Sequence, residues 1–410
     1  RISAMLPINT RGMWVGTFHG LCNRMLRAHH REAGLPQTFQ ILDSADQLAM
    51  IKRVMKSMNI DDEKYPPKQA QYFVNAAKEQ GLRPPQVEAY DDFSARLLTV
   101  YQAYDAQCQR EGVVDFAELL LRCFELLSRN EPLRNHYRGR FRQILVDEFQ
   151  DTNRLQYLWL KLLAGPDNSI FAVGDDDQSI YAFRGARSGN MLDFEQDFRI
   201  GKVIKLEQNY RSQGNILDAA NALIRNNQTR LGKNLWTAQG SGEPLRRYEA
   251  TTDFEEAAYI LEEIKQLKHE GVALSDIALL YRSNAQSRVL EHALFNAGLA
   301  YRVYGGLRFF ERQEIKHALA YLRLTANPDD DGAFLRVVNF PTRGIGNRTV
   351  EQIQETAAAR GISLWQAACT NAPSGRAGSS IAVFVRLIES LREPCEHLPL
   401  PEMVEHIVEY

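Results

Sequence analysis

Apolar residues recur along this chain first with a helical period and later in short runs. From Phe18 to about Arg140 the spacing is helical. Leu48, Ile51 and Met55 share one face, and Ser44 with Gln47 reads as a capping box opening that helix. Asp115 caps a second helix whose apolar positions are Phe116, Leu119, Leu120, Phe124 and Leu127. Pro66-Pro67 and Pro84-Pro85 mark breaks, and Met13-Trp14-Val15, ahead of the helical stretch, reads as a strand. Short runs then follow at residues 144–146, 170–173 and 203–206, with a helix-like pattern from Leu155 to Leu163. Strands alternating with helices predict an α/β fold with a mainly parallel sheet. Such sheets bind ligands at the carboxyl ends of their strands.

A later block repeats the style. Residues 277–281 and 301–304 read as strands. Between them Ser283 caps a helix through Val289, Leu290 and Leu294, closed by Gly298. After Gly305-Gly306 the pattern is helical again. The chain thus reads as a first α/β core at residues 1–17 and 142–207 and a helical insert at 18–141. A second α/β core follows at 208–304, then a second helical insert at 305–410.

Composition narrows the class. At 410 residues the chain is too long for one typical core. Its net charge of -2 carries no global nucleic-acid signature, although a local basic stripe is compatible with a neutral total. The five cysteines (Cys22, Cys108, Cys123, Cys369, Cys395) are scattered without a C-x-x-C pair, against a disulfide scaffold or zinc site. No apolar run approaches the ~18 residues of a membrane span. Both ends, Arg1 and the amphipathic stretch holding Met403 and Ile407 before Tyr410, read as cuts in a longer chain.

Chemistry concentrates at the strand ends. The run Gln143-Ile144-Leu145-Val146 ends in Asp147-Glu148. Mg²⁺ takes hard oxygen ligands and often keeps several waters, so one carboxylate can hold it through water. The neighbouring carboxylate can then orient or deprotonate an attacking water. The alternative makes these acids the N-cap of the helix before Leu155. The next run ends in Asp175-Asp176-Asp177-Gln178, and three acids with an amide are costly unless they face water, cation or phosphate. Gln178 can donate to a γ-phosphate. Tyr181, Phe183 and Arg184 suit base stacking on a single strand, or else form core aromatics after a polar turn. The third end, Asn209-Tyr210-Arg211-Ser212, offers Arg211 to a transferring phosphoryl group and Tyr210 to a purine face. A surface ion pair and a packed tyrosine are the alternatives.

In this order and spacing, the three motifs resemble the superfamily 1 DNA helicases of the UvrD/Rep/PcrA group. The likeness extends to Gly16-Thr17-Phe18-His19-Gly20, to Val114 through Leu120, to Tyr281 through Arg288, to Tyr304-Gly305-Gly306 with Phe309 through Arg312, and to Pro341 through Gly346. The resemblance implies two RecA-like cores, each with a mainly helical insert. It implies Asp147 as the Mg²⁺ carboxylate, Glu148 as catalytic base, Gln178 as γ-phosphate sensor, Arg211 as a γ-phosphate arginine and Tyr210 as the adenine-stacking residue. It places Thr17, His19, Phe116, Tyr181, Phe183, Arg184, Arg282 and Asn284 along a single-strand path. Phe116 also lies on the apolar face of its own helix, which offers a core role. The stripe Arg24, Arg27, His29, His30 and Arg31 either tracks phosphates or is a solvated face. Gly344 and Gly346 resemble a hairpin whose backbone N–H groups meet a duplex phosphate. A tight turn before a helix capped by Asn347 is the other reading. One motif departs: the family often has Gly-Trp where this chain has Ala182-Phe183.

The implied activity is ATP- and Mg²⁺-dependent 3′–5′ translocation on single-stranded DNA, with unwinding at single/double-strand junctions. The implied setting is DNA repair in the bacterial cytosol, with repair proteins as partners. The chain contains no G-x-x-x-x-G-K-[ST] loop to cradle phosphates. The family places that loop before Arg1 and its second conserved arginine after Tyr410. The chain is therefore expected to be the middle of a helicase, inactive alone. Two other readings are a non-catalytic DNA-binding module and the motor half of a helicase–nuclease.

Overall fold

The computed structural model describes residues 5, 12–179, 189–200, 203–227, 230–304, 312–370, 376–395 and 397–409. It shows a mainly helical mixed fold with small parallel sheets, divided into two compact units at residues 1–243 and 244–410.

In the first unit, helices α1 (Phe18–Ala28), α2 (Ser44–Ser57), α3 (Pro67–Glu79), α4 (Asp92–Glu111), α5 (Phe116–Arg129) and α6 (Glu131–Arg140) fill the predicted helical stretch. A two-residue parallel pair, β1 (Gln40–Ile41) with β2 (Val113–Val114), ties its ends. Asp115 caps α5 as expected, accepting from the Glu118 N–H at 2.7 Å. The cap of α2 is Asp43, one residue before the predicted Ser44. One Asp43 carboxylate oxygen accepts from the N–H groups of both Ala45 and Asp46 at 2.8 Å. Gln47 is freed from capping and buried, its amide donating to Asn75 at 2.7 Å and Asp115 at 3.1 Å.

A buried charged cluster locks α3, α4 and α5 together. Lys78, 1% exposed, lies 2.8 Å from Asp115 and 3.0 Å from Glu118. Arg83 forks onto Glu118 (2.8 and 2.9 Å) and Glu125 (2.9 and 2.8 Å). Tyr104 donates to Asp115 at 2.8 Å, and Arg122 to Glu118 at 2.7 Å. Burial alone would raise the Glu118 carboxyl; Lys78, Arg83 and Arg122 outweigh it and hold the group well below the usual carboxylate range.

Beyond this block, β3 (Gln143–Val146) and β4 (Ser169–Ala172) pair in parallel, Gln143 opposite Ser169 and Val146 opposite Ala172. The crossover helix α7 (Arg154–Leu163) packs with α1 and α5 around Leu120, Cys123, Phe149, Trp159 and Leu160. The other sheet face is bare: Leu145 is 76% exposed. Helices α8 (Gly189–Asp197) and α9 (Gly214–Ile224) complete the unit.

Residues 13–15 and 203–206 form no strand. A strand exists only where a neighbour completes its ladder, and here the described residues supply one isolated parallel bridge, Gln208 with Trp236. In the second unit, residues 277–281 and 301–304 likewise form no strand and line a cleft of about 780 Å³. That unit contains α10 (Asp253–His269), α11 (Asn284–Asn296), α12 (Gln313–Ala326), α13 (Asp331–Val337), α14 (Asn347–Arg360), α15 (Leu364–Thr370), α16 (Arg376–Cys395) and α17 (Leu400–Glu409). The last six surround a core built on Phe334, Trp365, Phe384 and Ile388. Ser283 caps α11 in a box with Gln286, and Gly298 follows its end at φ +64°, both as predicted. Gly305-Gly306 and Phe309 through Glu311 lie outside the described residues. No described helix is long and apolar enough to cross a membrane.

Candidate functional site

The strand β3 delivers Asp147 and Glu148 to solvent at its carboxyl end. They do not cap α7: that role falls to Asn153, whose side chain accepts from Gln156 N–H at 2.8 Å. Glu148 instead turns the chain sharply, at φ +51°, in the left-handed region that costs a non-glycine residue about 1–3 kcal/mol. Its N–H donates to the Asp147 carboxylate at 3.0 Å. Such strain persists only where surrounding contacts fix it.

Gln150 is the fixing contact, and the sequence reading did not single it out. Buried at the base of the turn, it donates to the Glu148 carboxylate at 2.8 Å and accepts from the Asp175 N–H at 2.9 Å. One amide thus joins the ends of β3 and β4. The backbones come so close there that a Cβ on Gly174 would lie 2.7 Å from the Gln150 side-chain oxygen.

The second strand end forms a tight acidic turn. Asp175 accepts from its own Asp177 N–H at 3.0 Å and from the exposed Gln178 amide at 2.7 Å. The three carboxylates converge closely enough to hold a cation. Basic side chains already neutralise them: Lys233 bonds Asp175, and Arg230 bonds Asp177 at 2.8 Å. Asp147, the carboxylate expected to hold Mg²⁺, lies outside this cluster.

At the third end, the side chain of Asn209 accepts from the N–H groups of Arg211 (2.9 Å) and Ser212 (2.7 Å), a turn that displays the residues between. Tyr210 is 75% exposed, with its hydroxyl donating to Gln208 at 2.9 Å, so it is not a packed core tyrosine. Arg211 is exposed beside it.

Of the residues expected along a single strand, His19 and Phe116 come together. Thr17 caps α1, accepting from the Gly20 N–H at 3.3 Å. The His19 ring meets Phe116 edge-on at 6.0 Å. Burial pushes the imidazole below its ordinary value, so it is neutral at neutral pH. Phe116 is 48% exposed, not core. In the basic stripe behind them Arg24, Arg27 and Arg31 are exposed. Arg24 stacks over Trp14 at 4.3 Å, Arg27 over Phe39 at 3.6 Å, and His29 bonds the Tyr137 hydroxyl at 2.9 Å. Tyr181, Phe183 and Arg184 lie outside the described residues.

The second unit carries the remaining candidates. Arg282 and Asn284 are exposed at the start of α11. Gly344, at φ +73°, and Gly346, the N-cap of α14, sit in a turn built around Asn339. The Asn339 side chain accepts from the N–H groups of Arg343 (2.9 Å) and Ile345 (3.2 Å). Asn347 is therefore the first helical residue and not the cap. Both glycines are open, with nothing within 4 Å of an added Cβ.

Known proteins align along the whole chain. The family description "UvrD/REP helicase N-terminal domain" matches residues 1–199, and "UvrD-like helicase C-terminal domain" matches residues 204–394. DNA helicase II of Escherichia coli is 52% identical over 414 aligned residues, which cover 100% of this chain and 57% of that protein. DNA helicase II of Haemophilus influenzae is 50% identical, covering 97% of the chain and 55% of that protein. The ATP-dependent DNA helicase PcrA of Bacillus subtilis is 40% identical, covering 100% of the chain and 56% of that protein. The chain thus spans little more than half the length of these relatives. Matched in order by both halves of the family description and aligned throughout to these relatives, the chain belongs to the UvrD-like helicase family.

Proposed function

We propose that the protein is an ATP-dependent DNA helicase that translocates 3′ to 5′ on single-stranded DNA and opens single/double-strand junctions during repair. Residues 1–17 with 142–207, and 208–304, are assigned to two RecA-like cores, and 18–141 and 305–410 to their inserts. Activity is assigned to the longer protein, since this chain has no phosphate-cradling glycine-lysine loop. The observation that carries the reading is the Gln150 bridge. It holds the Glu148 carboxylate and the Gln178-bearing turn in one rigid frame, as a base and a sensor acting on the same phosphate require.

In this reading Asp147 holds Mg²⁺, whose chemistry when bound is to neutralise phosphate charge. Glu148 orients the attacking water and takes its proton. Gln178 reports on the γ-phosphate, Arg211 stabilises charge on it, and Tyr210 stacks on adenine. Thr17, His19 and Phe116 are assigned to contacts with the bases of the single strand, and so are Tyr181, Phe183, Arg184, Arg282 and Asn284. Gly344 and Gly346 offer backbone donors to a duplex phosphate. The test is Glu148→Gln in the longer protein. Loss of a general base predicts a fall of about 100-fold or more in DNA-stimulated ATP hydrolysis, with single-strand affinity retained. Hydrolysis near the wild-type rate would sink the role given to Glu148.

A further inference from the structure

We propose that Lys233 and Arg230 are positioning residues for Gln178, acting through the acidic turn Asp175-Asp176-Asp177 and not through any ligand of their own. The inference rests on the reading of Gln178 given above.

Gln178 is exposed and its side chain is long, so unheld it would sample many rotamers. Its amide is held at one point, the Asp175 carboxylate, 2.7 Å away. The other oxygen of that carboxylate takes Lys233. Burial would raise the Asp175 carboxyl, but hydrogen bonds from Lys233 and Gln178 outweigh it and keep the group below its ordinary range, hence ionised.

The grip continues along the turn. Arg230 bonds Asp177 through two nitrogens and donates to the Lys233 carbonyl at 3.0 Å, which braces the two cations against each other. The Leu231 N–H donates to Asp176 at 2.6 Å. Each of the three acids therefore has a partner from one short segment, turned at Gly232 with φ +70°. Lys205 supports that segment from its other side, donating to the carbonyls of Leu231 (3.1 Å) and Gly232 (2.6 Å).

Two other accounts of these contacts are weaker. Exposed ion pairs contribute little, but here the side chains of Lys233 and Arg230 are only 16% and 15% exposed and those of their acids 12–22%. A divalent cation on the triplet would have to displace both basic side chains. The clasp also crosses the family halves. Residues 175–178 lie in the N-terminal description and 230–233 in the C-terminal one. The sensor of one half is thus aimed by side chains of the other, so a change in their relation reaches Gln178 directly.

The experiment is a double-mutant cycle in the longer protein: wild type, Lys233→Ala, Gln178→Ala and the double variant. The readout is ATP turnover at saturating single-stranded DNA. Gln178→Ala is expected to lower kcat about 100-fold. Lys233→Ala is expected to lower it about tenfold with KM for ATP within about twofold. The double variant is expected to be no slower than Gln178→Ala alone, which a merely structural lysine would not produce. Lys233→Arg is expected to recover most of the loss. If Lys233→Ala lowers Tm by more than about 4 °C, Lys233→Gln, which keeps a donor, carries the same comparison. Turnover of Lys233→Ala within twofold of wild type, or multiplicative losses in the double variant, overturns the positioning role alone. Wild-type turnover of Gln178→Ala overturns the Gln178 reading and this inference with it.

Discussion

The helical stretch from Phe18 to Arg140 and the strand-bearing stretch after it treat charge and apolar surface in opposite ways. In the first, Lys78, Asp115 and Glu118 are sealed inside with every partner present, and Tyr101 and Tyr104 are fully buried beside them. In the second, Asp147, Glu148 and Gln178 face solvent, and apolar Leu145 stands in the open. The difference has two physical roots. A helix satisfies its own backbone and needs only one covered face, whereas a strand depends on neighbours for its hydrogen bonds. Charges that serve structure must be closed off with their partners, while charges that serve a ligand must stay open to it. Buried and saturated therefore reads as scaffold here, and exposed and anchored from behind reads as site.

The strongest way to break this contrast is Lys78→Met. It leaves two buried carboxylates without their shared cation, and breaking a buried pair in that way costs about 3–5 kcal/mol. Urea unfolding followed by far-UV circular dichroism, with amide exchange in Pro67–Glu79, measures it. A loss below about 1 kcal/mol would mean that the cluster behaves like surface charge and that the first region is not locked by it.

A middle-sized effect is expected at the junction of β3 and β4. Gly174→Ala would put a methyl group against the Gln150 side chain and 3.2 Å from the backbone nitrogens of Gln150 and Phe149. Something must shift, at a cost of about 1–3 kcal/mol. Because Gln150 also holds Glu148, the shift is expected to propagate into the acidic turn. Thermal unfolding of the variant gives the cost. An unchanged midpoint would show the two strand ends to be looser than the Gln150 bridge implies.

How much of this was legible in the sequence follows from the range of the contacts. The caps at Asp115 and Ser283 are three-residue events and were readable. The cap at Ser44 slipped by one, because Asp43 offers a better acceptor than the hydroxyl beside it. Asp147, Glu148, Gln178 and Arg211 stand out in the sequence because each follows a short apolar run, and strand ends in parallel sheets collect chemistry. Gln150 and Lys233 were not, since their partners Asp175 lie 25 and 58 positions away and no local pattern announces them. The aromatic partners of the basic stripe were hidden for a related reason: Trp14, Phe39 and Tyr137, which meet Arg24, Arg27 and His29, are brought there by tertiary packing. The unpaired runs at 203–206 and 277–281 have strand composition, but composition supplies no neighbour.

The smallest expected effect tests the contrast most directly. Leu145→Ala and Leu120→Ala delete the same atoms in the same unit. Leu120, 1% exposed, sits in the α1–α5–α7 core, where such a deletion costs about 2–5 kcal/mol. Leu145 has little buried area to lose, so its deletion is expected to stay within about 0.5 kcal/mol. Parallel urea titrations of the two variants give the difference without needing absolute stabilities. Helix packing predicts the first cost whatever lies beyond the chain. The second depends wholly on the face of β3 and β4 being bare in solution. A cost for Leu145→Ala approaching that for Leu120→Ala would mean the face is covered. If the cost grew with protein concentration, the cover would be another copy of the chain, and the openness of the neighbouring site would have to be measured in that assembly.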